Sequence, residues 1–215
     1  MLTAAQRDLI KATVPLLETG GEALTSHFYR LMLSESEAVR PLFNQAHQAK
    51  GDQPRALANA VLMYARNIDR LQALGPLVGQ IVHKHVALQV LPEHYPIVGH
   101  YLLRAIREVL GPEIATDAII DAWGAAYQML ADILIGAEES VYSATANAPG
   151  GWRGARSFRV ADKVAESSEI TSFHLVPADG GPVVDFQPGQ YIGMRLVLDG
   201  NEVRRNYSLS GSANG

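Results

Sequence analysis

The chain has 215 residues and a mass of 23.3 kDa, enough for one large domain or two smaller ones, and its 47% hydrophobic content is usual for a globular protein. Its net charge of −4 and pI near 6.0 argue against a nucleic-acid partner or a membrane-surface partner. It has no cysteine, which excludes disulfides, thiolate metal sites and cysteine nucleophiles and fits a reducing, cytoplasmic setting.

The N-terminal "MLTAAQRDLIKATVPLL" has no basic region ahead of an apolar run, so no signal peptide is expected. From Thr3 to about Tyr142 the apolar residues recur every three or four positions, the period of amphipathic helices. Thr3 and Gln6 have the spacing of a capping box, with Leu9, Val14 and Leu17 on the face that follows. Gly20 and Gly21 predict a break before "EALTSHFYRLMLSE" resumes the helical pattern. "VRPLFNQAHQAKGDQ" is turn-rich, and "PRALANAVLMYARNIDRL" predicts a long helix with Pro54 in its first turn. Further helices are predicted over about 76–90, from about Glu93 to Leu110 with Gly111 and Pro112 ending it, and from about Glu113 to Tyr142. That makes six to seven helices with short connections and no internal repeat. The most apolar stretch, "AIIDAWGAAYQMLADILIGA", carries Asp121, Gln128 and Asp132 and reads as a buried helix, so no stable membrane insertion is expected.

At "ANAPGGWRG" the pattern changes. Pro149, Gly150 and Gly151 predict a linker over 148–151, between a helical domain at 1–147 and a second domain at 152–215. Four β-type runs follow, "SFRVADKVA", "ITSFHLVPA", "QYIGMRLVL" and "VRRNYSLS", separated by turn signals at "ADGGP", "QPGQ" and "DGN". Four antiparallel strands are too few to close a typical barrel, so this second domain reads as incomplete.

Two histidines stand close together in "QIVHKHVALQV". On a helix the apolar stripe here is Val78, Ile81, Val82, His85 and Leu88, which places His85 among core-facing residues and His83 on a more exposed face. Two readings follow for His85. It is either a core histidine satisfied by carbonyls or a metal ligand. No other ligand stands at zinc spacing, whereas haem iron needs only one histidine.

The motifs "HFYRLML" (27–33), "LFN" (42–44), "GDQ" (51–53), "KH" (84–85), "EHYPIVG" (93–99), "DAWGAAY" (121–127), "GGW" (150–152), "ITSFHL" (170–175), "PGQY" (188–191) and "RNYSLS" (205–210) stand in one order along the chain. Together they resemble the bacterial flavohaemoglobins. The resemblance implies a mostly α chain: a globin fold followed by an incomplete antiparallel β-barrel of the flavin-reductase type, with the chain stopping inside the FAD-binding domain. It makes His85 the proximal ligand of haem b iron, with Phe43 packed on the porphyrin. It puts Tyr29, Gln53 and Leu57 in the distal pocket, the first two as polar contacts to bound oxygen and Leu57 as a steric lid. Tyr95 and Glu138 join the His85 ring in a hydrogen-bond network that pushes electron density onto iron, and Lys84 lies beside it. Glu139, next to Glu138, is the competing candidate for the acid. Arg205, Asn206, Tyr207 and Ser208, with Tyr191, resemble the FAD-binding motif, in which arginine meets the pyrophosphate and an aromatic ring the isoalloxazine.

The activity implied is nitric oxide dioxygenase. Ferrous haem binds O2 and oxidises NO to nitrate, with electrons from NAD(P)H by way of FAD. The resemblance leaves the nicotinamide-binding domain outside these residues, so the chain is expected to lack its own NAD(P)H input. Two other readings stay open. One is a monomeric haem globin that binds or senses O2 or NO and is reduced by a separate reductase. The other is a non-functional fragment with exposed strand edges.

Overall fold

A computed structural model describes residues 1–43, 51–198 and 200–211. Six α-helices run among the described residues: α1 Ala4–Ala12, α2 Val14–Glu35, α3 Asp52–Arg66, α4 Gly75–Leu88, α5 His94–Leu110 and α6 Asp117–Asn147. Two short 3-10 turns, Arg40–Leu42 and Leu71–Leu74, fall between them. The turn-rich prediction over 39–53 lies partly at 44–50, outside the described residues. By its contacts the chain falls into two compact units, Met1–Glu138 with Arg195–Arg204 and Glu139–Met194 with Arg205–Gly215.

The Thr3 hydroxyl accepts the Gln6 backbone N–H and the Gln6 side chain accepts the Thr3 N–H, which completes the capping box at the start of α1. The predicted break at Gly20 and Gly21 does not occur. Helix α2 passes through both glycines, with Gly20 facing open space and Gly21 facing α3. A Cβ built on Gly21 would lie 3.5 Å from the Ala58 Cβ, and one turn on the buried Thr25 hydroxyl donates to the Pro54 carbonyl at 2.8 Å. Each helical glycine costs about 1 kcal/mol in propensity, and close packing of α2 on α3 offsets it.

The core gathers Ile10, Leu24, Phe28, Met32, Val61, Tyr64, Leu102, Ile106 and Trp123. Helix α6 is by length and composition apolar enough to cross a membrane. In the fold Ala122, Trp123, Ala126, Ala131 and Leu134 turn its apolar stripe inward, while Asp121 and Asp132 face outward. This is the arrangement of a core helix.

In the second half β1 (Phe158–Ala165) pairs antiparallel with β2 (Thr171–Pro177), with a register shift between Val160 and Asp162. A second two-stranded sheet joins β3 (Tyr191–Leu198) to β4 (Asn201–Ser208). Both sheets leave apolar side chains exposed, among them Val160, Phe173 and Val197. Arg156 ties the first part of this region together. It forms an ion pair with Asp179 at 2.7 Å, donates to the Pro182 carbonyl at 2.8 Å and lies over the Trp152 and Phe158 rings.

Candidate functional site

His85 sits in the last turn of α4. Its carbonyl accepts the Val90 N–H at 2.9 Å, and Gln89 takes the left-handed conformation (φ 59°) that ends the helix there. This cap fixes the backbone from which the imidazole projects. The ring is partly exposed, whereas His83 and Lys84 are fully on the surface. Among the described residues Lys84 makes no ion pair.

Three side chains from three helices meet at one carboxylate oxygen. His85 Nδ1 lies 2.7 Å from Glu138 Oε1, and the Tyr95 hydroxyl donates to that same oxygen at 2.6 Å. His85 Nδ1 is also 3.1 Å from the Tyr95 hydroxyl oxygen. The bonding favours one tautomer: the Tyr95 hydroxyl gives its proton to Glu138, so a proton on Nδ1 lets the imidazole donate to both neighbouring oxygens. A neutral imidazole with Nδ1–H presents a bare lone pair at Nε2, and Nε2 bonds no described residue.

Glu138 is 2% exposed and lies on the buried stripe of α6 with Ala131, Leu134 and Tyr142. Glu139 points away from that stripe. It forms an ion pair with Arg153 at 2.5 Å and accepts from Ser143, and these bonds hold its carboxyl down at about 2. The two adjacent acids therefore do different things.

Tyr127 and Gly99 support the site and were not anticipated from the sequence. The Tyr127 hydroxyl donates to the Tyr95 carbonyl at 2.7 Å, and its ring fills the space above Gly99, where an added Cβ would come within 2.6 Å. Together they set the first turn of α5 so that Tyr95 reaches Glu138. The signal was present in "EHYPIVG" and "DAWGAAY", a glycine and a tyrosine on two facing helices, but pairing them needs the helix crossing.

On α2 the half-buried Tyr29 packs against Phe28 and meets the Phe43 ring edge-on at 5.6 Å between centroids. Burial pushes its phenol up to about 12, so it stays a neutral donor. Its hydroxyl bonds no described residue. Gln53 and Leu57 lie one turn apart on α3, both half-buried. His85, Tyr95 and Glu138 are thus drawn together, and Tyr29 with Phe43 forms a second pair.

Tyr191 opens β3 and Arg205, Asn206, Tyr207 and Ser208 close β4. The Leu209 N–H donates to the Gln190 carbonyl at 3.0 Å, which brings both ends of the motif together. The five side chains are exposed, and the Tyr207 ring meets Phe173 edge-on at 6.2 Å.

Residues 26–134 match the globin family. Over all 215 residues the chain is 75% identical to a flavohemoprotein of Pseudomonas aeruginosa, of which it covers 55%. It spans about half the length of the curated relatives it matches. A bacterial globin from Campylobacter jejuni is 42% identical, with a TM-score of 0.62 over 66% of this chain and 99% of that one. A flavohemoglobin from Malassezia yamatoensis, with bound FAD and heme, matches 98% of this chain over 55% of its own, at 28% identity and a TM-score of 0.83.

Proposed function

We propose that this chain, which belongs to the globin family and within it resembles the flavohaemoglobins along its whole length, binds haem b through His85 and carries the haem part of a nitric oxide dioxygenase. The observation that carries the reading is the bonding at His85: Nδ1–H is held by Glu138 and Tyr95, which leaves the Nε2 lone pair open. That is the donor chemistry haem iron requires.

Haem, once bound, would supply the ferrous iron for O2 binding and for oxidation of NO to nitrate. The residues of this chain set the conditions. Glu138, buried and acceptor to both His85 and Tyr95, draws the Nδ1 proton toward itself and makes the imidazole a stronger electron donor. Tyr127 and Gly99 keep Tyr95 in place. Tyr29, neutral and without a described partner, would offer its hydroxyl to a small ligand, Phe43 would pack against the porphyrin, and Gln53 and Leu57 would help to enclose that ligand. Lys84 adds a positive charge beside the proximal helix end.

Tyr191, Arg205, Asn206, Tyr207 and Ser208 would hold FAD, which would relay electrons to the haem. Two exposed tyrosine rings and an arginine suit an isoalloxazine and a pyrophosphate. Two small gases are the substrates, and we place the protein in the cytoplasm.

The test is a single turnover. The haem-loaded chain is reduced chemically, exposed to O2 and then mixed with one equivalent of NO. Stoichiometric nitrate is expected, and Tyr29→Phe should lower the yield by releasing O2 early. Nitrite, the product of uncatalysed oxidation, would overturn the assignment.

A further inference from the structure

His85 stands in the last turn of α4 and Tyr95 in the first turn of α5, so the short corner between them governs how the two meet. Local bonds close its backbone. The Gln89 and Val90 N–H groups both donate to the His85 carbonyl. The Leu91 N–H donates to His94 Nδ1 at 2.9 Å, and the His94 N–H returns to the Leu91 carbonyl at 3.0 Å. Burial lowers the His94 pKa, against the pull of Glu93 and with the help of Arg204, so Nδ1 stays an acceptor.

One further bond reaches this corner from far along the chain. The Arg204 guanidinium donates to the Leu88 carbonyl, one of the last in α4, which have no partner inside the helix. Its positive charge suits the negative end of the helix dipole. Arg204 is itself held: Nε donates to Glu202 at 3.0 Å, and Glu202 also faces Arg195 on β3 at 3.8 Å. The segment Arg195–Arg204 belongs by its contacts to the same compact unit as α4 and α5. Side chains alternate along β4, which sets Arg204 on one face of the strand and Arg205, of the proposed flavin motif, on the other.

We infer that Arg204 is a positioning residue for His85: it caps α4 and braces the α4–α5 corner, so that the imidazole keeps the angle at which Nδ1 meets Glu138 and Tyr95. The inference rests on the reading of His85 as the haem ligand. Arg204 acts through the backbone, because Leu88 lies three residues after His85, or about 4.5 Å along the helix axis. A helix end without a cap partner opens most readily, and here the opening turn is the one that carries the imidazole. A tilted His85 has a longer bond to Glu138 and becomes a weaker electron donor to iron.

The test compares the full chain with Arg204→Met, which keeps the apolar stem but removes charge and donor, and with Arg204→Lys, which keeps both. Amide hydrogen exchange is measured on the haem-free proteins. The iron–histidine stretching vibration is measured by resonance Raman on the reduced, haem-loaded proteins. Exchange at Gln89, Val90 and Leu91 should rise about tenfold in Arg204→Met, as for the loss of one charge-assisted hydrogen bond, while α2 stays as in the parent. The vibration should move to lower frequency, and Arg204→Lys should restore both readouts. A vibration unmoved in Arg204→Met, a rise in exchange spread evenly over all helices, or lysine behaving as methionine would overturn the inference. A parent that takes up no haem fails the proposed function, and the exchange data then decide the brace alone. A parent that takes up haem, with the vibration unmoved in Arg204→Met, fails this inference and leaves the function standing.

Discussion

Glu138→Gln separates electronic tuning from structural support. The substitution keeps the size of the side chain and an acceptor oxygen but removes the charge. Glu138 is 2% exposed, and Oε1 receives Tyr95 at 2.6 Å and His85 at 2.7 Å. A hydrogen bond to a charged group contributes about 1.5–3 kcal/mol and a neutral one about 0.5–1.5 kcal/mol, so each bond weakens by about 1 kcal/mol. Against this, burying an unpaired ion costs several kcal/mol and the amide avoids that cost. The two weakened bonds cost about 2 kcal/mol together and the relieved desolvation offsets a similar amount, so stability of the haem-free chain should change by no more than about 2 kcal/mol. Haem affinity should fall about 10–100-fold, the usual cost of losing a group that orients a ligating histidine. That is about 1.4–2.7 kcal/mol. The assay pairs urea unfolding of the haem-free chain with the rate of haem transfer to an excess of acceptor globin. Haem retention equal to that of the parent would refute the reasoning. So would a loss of stability large enough to account for the whole change.

Two helical glycines should respond with opposite signs in urea unfolding. Gly21→Ala meets Ala58 at an ordinary contact distance and should stabilise by about 0.5–1 kcal/mol, the helix-propensity gain. Gly99→Ala drives a methyl into the Tyr127 ring and should destabilise by about 1–3 kcal/mol. It should also weaken haem binding by displacing Tyr95. The Arg156 pair lowers the Asp179 carboxyl from 3.8 to about 2, with the backbone N–H of Gly181 helping. A lowered folded value means the stabilisation is present above 3.8 and is lost as pH falls through about 2. Carboxyl NMR titration should show the midpoint near 2, moving toward the ordinary carboxylate range in Arg156→Gln. An unmoved midpoint would remove Arg156 as the cause.

Much of the globin half was legible because its signals are local. The Thr3–Gln6 box, the stop at Gly111 and the stripe that preferred His85 over His83 are each set within one or two turns. Gly20 and Gly21 misled for the opposite reason: glycine as a breaker is a local rule, and the contact of Gly21 with Ala58 that overrides it joins two helices. Glu138 is an instructive middle case. Beside Glu139 near a helix end it looks solvated, yet it extends the spacing Ala131, Leu134, Glu138, Tyr142, and that periodicity marks the buried face. Tyr127 was beyond reach, because its bond to the Tyr95 carbonyl depends on how α5 and α6 cross. In the second half the strands fell on the four β-type runs between their turn signals, but the roles of Tyr191 and Arg205–Ser208 came from the family motif rather than from any local physical rule.

The account rests on His85 as the haem ligand, and a haem titration tests that most directly. The full chain and its His85→Ala variant, both haem-free, are titrated with hemin and followed by visible absorption after reduction. The parent should bind one haem per chain and show the spectrum of a histidine-ligated globin. The variant should lose that spectrum and recover it when free imidazole is added. An unchanged spectrum in His85→Ala, or no saturable binding by the parent, would contradict the account.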